Sequence, residues 1–350
     1  MKKEYDILKV IAILMVVLSH STYYVISTKY GGVDYQQYIN QNLSLVLYKV
    51  FDKVREVLYY FHMPLFMALS GAFYYLQVQR DKWSTLKLIV QNKAKRLLFP
   101  FIIFTILYSI PIKYISNYFD STDPFKAFVG QFFLIGNSHL WYLYALFIIF
   151  IFAFYTLKKE TKLATYVVFY VLHILSYKIE LPLFKVPLQF LFYFSLGFLF
   201  ESNREKYNQF INKKKNYVLL LSTVFALMVL LNLYVKFTQV LFSKVLVELM
   251  AVLGSLLTYS IAYQLSQKKS VGDASIFKMI LINGLGIYIF SDPLNYLILK
   301  LSYSLNSYFM FTPLGIVVLV VLRFFLTLFI SLIGTIIFKK YFKKYKWLVN

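Results

Sequence analysis

Residues 314–338 read LGIVVLVVLRFFLTLFISLIGTIIF, an apolar run broken by one charge, Arg323. A helix rises 1.5 Å per residue, so about 20 such residues cross a hydrocarbon core ~30 Å thick. Working back along the chain, comparable runs fall at 7–27, 57–77, 97–115, 139–157, 163–179, 184–200, 217–235, 245–265 and 280–299. This pattern predicts an all-α fold, a polytopic transmembrane bundle of about ten helices filling residues 1–350 as a single domain, with no separate soluble domain. Bulk composition agrees. The chain is 60% hydrophobic and 15% charged, against about 25% charged in a soluble domain. Lipid is its natural solvent.

The net charge of +22 invites a nucleic-acid partner, but the position of the charges excludes it. Most Lys and Arg lie in short segments between apolar runs, where they set topology. The N-terminus, 78–96, 158–162, 201–216, 266–279 and the C-terminal tail carry 24 of the 37. The opposite flanks, 28–56, 116–138, 178–185, 236–244 and 300–313, carry 10. Cytoplasmic flanks are the basic ones, so both termini are expected in the cytoplasm. Met1-Lys2-Lys3-Glu4 and the run after it resemble a signal peptide, but no small-residue cleavage site follows, which predicts a retained first helix. The segment 28–56 is expected to hold an amphipathic helix around Leu43–Val57, lying on the outer surface. Zero cysteines exclude disulfides, thiolate metal sites and a cysteine nucleophile; no metal is expected.

Ionisable residues inside membrane helices are costly and therefore point to function. The first run carries Asp6, Lys9 and His20. Eleven steps of about 100° return His20 to the face of Lys9, ~16.5 Å further along the axis; Asp6 lies one turn before Lys9 on nearly the same face. A cation at one end can hold a phosphate, and an imidazole at the other can accept a proton from a hydroxyl. Coenzyme A, phosphates at one end and thioester at the other, has that shape. The plainer alternative pairs Lys9 with Asp6 at the interface. His62 and His139 open the second and fourth spans, in the general layer of His20, while His173 reads as a packing or interfacial residue. Lys93, Lys95 and Arg96 form a basic cluster that fits either phosphate binding or topology setting.

Several segments resemble the acyltransferase 3 family of membrane acyltransferases. Lys9 through His20 is similar to that family's Arg/Lys, ten residues, His signature. Phe61-His62-Met63-Pro64-Leu65-Phe66 with Ser70-Gly71 resembles its second helix. Lys93-Ala-Lys95-Arg96-Leu-Leu-Phe-Pro100 is similar to its Arg-x-x-Arg cluster and following proline. His139-Leu140-Trp141-Tyr142-Leu143 resembles the opening of its fourth helix, and Gly286-Ile287-Tyr288-Ile289-Phe290-Ser291-Asp292-Pro293 its late Gly-Ile-Tyr segment, where many members carry histidine at the position of Ser291.

The resemblance implies transfer of an acyl group, acetyl by family prevalence, from cytoplasmic acyl-CoA to a hydroxyl of a surface or secreted glycan. The implied setting is a bacterial plasma membrane, beside polysaccharide-synthesis machinery. His20 is then the catalytic base or a transient acyl carrier, and Lys9, Lys93 and Arg96 hold the donor phosphates. Asp6, His62, His139 and Trp141 are supporting or acceptor-side, although Trp141 also suits the interfacial aromatic belt. The rival readings are an exporter of polysaccharide or lipid-linked sugar, and a scaffold within a synthase complex. Export finds no Walker A loop and no internal repeat in the sequence.

Overall fold

The structure, a computed structural model, describes residues 2–119, 123–136, 138–214, 216–236, 238–268 and 270–350. Every predicted apolar run falls on a helix over most of its length. In chain order these are α1 (Lys3–Ser21), α2 (Asn42–Gln79), α3 (Leu86–Ile115), α4 (Pro124–Phe132), α5 (Trp141–Thr156), α6 (Leu163–Ser176), α7 (Pro182–Lys213), α8 (Tyr217–Val235), α9 (Val240–Ser266), α10 (Ser275–Met310) and α11 (Pro313–Tyr341). The short α4 was not expected. By length and composition α3 and α7 to α11 are able to cross a membrane, and α5 and α6 are shorter apolar helices. In α8 only 17% of the apolar window is buried inside the protein. So many outward Leu and Val side chains require a lipid neighbour.

Two expectations change. The first helix stops at Ser21 rather than at residue 27, and the chain turns into an antiparallel hairpin, β1 (Val25–Thr28) with β2 (Gly31–Asp34), in the register Val25↔Asp34. The amphipathic stretch around Leu43–Val57 is not a separate surface helix but the first half of α2, which runs unbroken for 38 residues. Nothing at its junction with the apolar half stops the helix.

Prolines shape α3. Two π-helical turns, Ala94–Leu98 and Thr105–Ser109, precede Pro100 and Pro111. A proline ring clashes with the carbonyl four residues back and offers no N–H; a wider turn absorbs that misfit. The first such turn carries Lys95 and Arg96. Close helix packing is built on small residues. A Cβ on Gly71 of α2 would lie 1.9 Å from the Phe194 carbonyl of α7, and one on Gly197 of α7 would lie 1.8 Å from that of Ala68.

The flanks sort into two ends. At one, Lys2 pairs with Glu201, Arg204 with Glu4, Asp81 with Lys159, and Lys3 donates to the carbonyl of Lys268. Lys95 lies over the Trp347 ring of the tail. At the other, Gly32 bonds to Tyr118, Lys236 pairs with Glu56, Lys244 lies over Tyr177, and Lys300 donates to Ile115. These are the two groups of flanks that the charge count separates.

Candidate active site

A cavity of about 340 Å³ opens between α1, α2, α3, α5 and α10, within the range of small-ligand sites, roughly 300–1,000 Å³. Lys9, Lys93 and Arg96 line it together, with Asn350 of the tail beside them. Lys93 is buried and its ammonium lies 3.7 Å from the centre of the Phe150 ring, a cation–π contact that supplies no countercharge. Among the described residues, ion pairs engage Lys2, Lys53, Arg55, Lys159, Arg204 and Lys236, and none of the three cavity cations. Asp6 is not bonded to Lys9: its Oδ1 is buried without a hydrogen-bond partner. The two residues stand one turn apart, and only Lys9 lines the cavity.

Away from the cations the lining turns to hydroxyls and rings: Ser70, Tyr142 and Tyr288, with Phe66 and Met63. The Tyr142 and Ser70 hydroxyls are 2.9 Å apart. Along α1 the lining residues are Lys9, Ile13, Val16 and Val17, a stripe at helical spacing whose next members include His20. His20 itself is not in the lining; it begins one turn beyond.

His20 Nδ1 lies 2.5 Å from Oδ1 of Asp292 in α10. The imidazole side chain is 15% exposed and the carboxylate 2%. An ionised carboxylate only accepts, so Nδ1 carries a proton, and in the neutral imidazole Nε2 is then the nitrogen with the lone pair. Arg323 of α11, fully buried, donates to the carbonyls of Tyr23 and His20 at 2.6 and 3.1 Å. It satisfies acceptors left open at the end of α1 and thereby fixes the backbone of His20.

Pro293 explains the rest of this layer. Having no N–H, it frees the carbonyl of Ile289 four residues earlier. His139 takes that acceptor, donating from Nε2 at 2.9 Å, while its Nδ1 meets the Ser109 hydroxyl at 3.2 Å. Tyr108 donates to the next carbonyl, Phe290, at 2.8 Å. His139 thus braces the turn that carries Asp292, with both ring nitrogens engaged. His62 donates to Leu58 at 2.7 Å, and its ring meets Tyr59 at 4.9 Å. Trp141 is packed on Phe190, at 4.9 Å between ring centres. His173, buried, bonds to the Gln189 carbonyl at 2.6 Å and to Glu248 at 3.3 Å.

A sequence model described as an acyltransferase domain matches residues 2–340. The chain belongs to the acyltransferase 3 family. It is a multi-pass membrane acyltransferase, and such an enzyme needs an acyl donor and a hydroxyl acceptor. Searches among curated proteins and solved structures return no match. Three residues of this acyltransferase 3 chain were missed as site members: Asp292, Lys113 and Arg323. Each is an ionisable group within an apolar run, and that alone is a signal. Lys113 is fully buried, donates to Gln131 at 2.9 Å, and lies over the Tyr118 and Tyr296 rings near Asp292.

Proposed function

We propose that this protein is a membrane O-acyltransferase that carries an acyl group, acetyl first among candidates, from cytoplasmic acyl-CoA to a hydroxyl of a cell-surface or secreted glycan. The observation that carries the reading is the arrangement along one face of α1. Lys9 stands with Lys93 and Arg96 at the cavity's basic end, and His20 stands beyond its far end, held by Asp292. The charge bias of the flanks supports a cytoplasmic basic end, with both termini on that side, and the membrane we propose is a bacterial plasma membrane.

In this mechanism the three cations take the donor's phosphates, Arg96 as a planar fork and the lysines as point charges. The pantetheine arm runs between the rings toward Val16 and Val17, where the thioester meets the layer of His20. Nε2 removes the proton from the acceptor hydroxyl as its oxygen attacks the thioester carbonyl. Collapse breaks the C–S bond, and the departing thiolate takes the proton back from the imidazolium. Asp292 keeps the imidazole in the productive tautomer and stabilises it once charged. Among the described residues no cluster of three or more His, Asp or Glu is placed to hold a metal ion.

The test is thiol release from acetyl-CoA by purified protein, with and without a glycan acceptor. Wild-type turnover that falls by about 10²–10⁴ in His20→Ala supports transfer. Undiminished surface acylation in cells carrying only His20→Ala would point to export or scaffolding instead.

A further inference from the structure

A second arrangement stands beside the His20 ring. Tyr23 and Tyr296 are fully buried, whereas Tyr59 of α2 is 46% exposed. Its ring lies 6.2 Å from that of His20. On its other side Tyr59 is braced edge-on by His62, itself locked to the Leu58 carbonyl. The imidazole, whose side chain is 15% exposed, therefore has a braced aromatic ring as its neighbour.

One and two turns further out along the same face of α2 stand Arg55 and Asp52. They pair with each other, and their side chains are 27% and 28% exposed. The outer-end flanks contain both residues, so this surface and the cation-lined cavity face opposite ends of the bundle. A pyranose ring has an apolar C–H face and a rim of hydroxyls. A tyrosine plane complements the first, and a carboxylate with a guanidinium complements the second. A lipid alcohol would instead call for an apolar groove without a charged rim. Trp141 packs against Phe190, with ring centres 4.9 Å apart.

We infer that Tyr59, with Arg55 and Asp52, is the platform on which the acceptor sugar stacks, with one hydroxyl directed at Nε2 of His20. This rests on His20 being the base of an acyl transfer. Donor and acceptor then meet at His20 from opposite ends, and the nucleotide never shares a site with the glycan.

The experiment is equilibrium binding of three fluorescently end-labelled tetrasaccharides (cellotetraose, chitotetraose and maltotetraose) to the full chain in nanodiscs, with thiol release measured on the same samples. Wild type should bind at least one saturably. Tyr59→Ala should weaken that binding about tenfold, and Tyr59→Trp, which keeps the plane, should hold it within about twofold. Tyr341→Ala, an exposed tyrosine beyond the basic end, should leave it unchanged. Absence of saturable binding by wild type, or equal binding by wild type and Tyr59→Ala, overturns the platform even if thiol release is normal. Tyr59-dependent binding with no thiol release to any acceptor keeps the platform and removes the transfer reading.

Discussion

Asp292 and His20 stand 272 residues apart in the chain, yet their side chains meet at 2.5 Å. The contact joins the outer part of α1 to the proline-broken turn of α10, and it decides which imidazole nitrogen is free for proton transfer. Asp292→Asn removes the charge while keeping the shape, and its amide is able to donate to Nδ1 and stabilise the wrong tautomer. Turnover should fall by about 10²–10⁴ with the KM for acyl-CoA nearly unchanged. Steady-state thiol release at varied donor concentration checks this; a variant with full kcat would remove Asp292 from the mechanism.

The cavity cations should behave differently. Lys93→Ala or Arg96→Ala is expected to raise the KM for acyl-CoA about tenfold, since one charge-assisted contact to phosphate is worth roughly 1.5–3 kcal/mol. The effect on kcat should be small. With acyl-pantetheine, which has no nucleotide, wild type and variants should converge. A kcat loss of the same size with both donors would contradict phosphate binding.

Topology has a direct measurement because the chain has no native cysteine. Lys159→Cys should react with an impermeant maleimide only when the cytoplasmic face is open, and Lys126→Cys should react in intact cells. The opposite labelling would reverse the orientation and separate the donor cavity from its donor pool.

Arg204 tests the anchoring of α1. Its guanidinium, 3% exposed, pairs with Glu4 at 2.7 Å and with Glu201 at 3.2 Å, and Tyr5 donates to the same Glu201. Arg204→Ala leaves Glu4 without its countercharge and Glu201 with Lys2 alone, and breaking a buried network in this way costs about 3–5 kcal/mol. Thermal unfolding in detergent should show a clear loss of Tm. Because Lys9 rides on the same helix turn by turn, the KM for acyl-CoA should rise as well.

Residues on one helix were the legible part of the site. The stripe from Lys9 to His20 follows from the 3.6-residue period, and α1 carries it as expected. Lys93 and Arg96 were legible as a cluster, but not as neighbours of Lys9. Asp292 was quoted inside a motif and passed over, because Ser291 drew attention as the departure from the family pattern. His139 was singled out for the right region, in a supporting or acceptor-side role, but without its partner. The carbonyl that it caps exists only because Pro293 withholds an N–H, and which side chain reaches that carbonyl depends on how α5 sits against α10.

The chain by itself determined a membrane bundle, because runs of apolar side chains have one compatible solvent and basic flanks have one favoured side. It also determined which residues of α1 share a face, since helical periodicity is local. Tertiary structure decided what stands opposite that face. The placement of α1 against its neighbours rests on contacts far apart in sequence, Ile13 against Gly284, His20 with Asp292 and Glu4 with Arg204. That placement turns scattered charges into one cavity and one His–Asp pair.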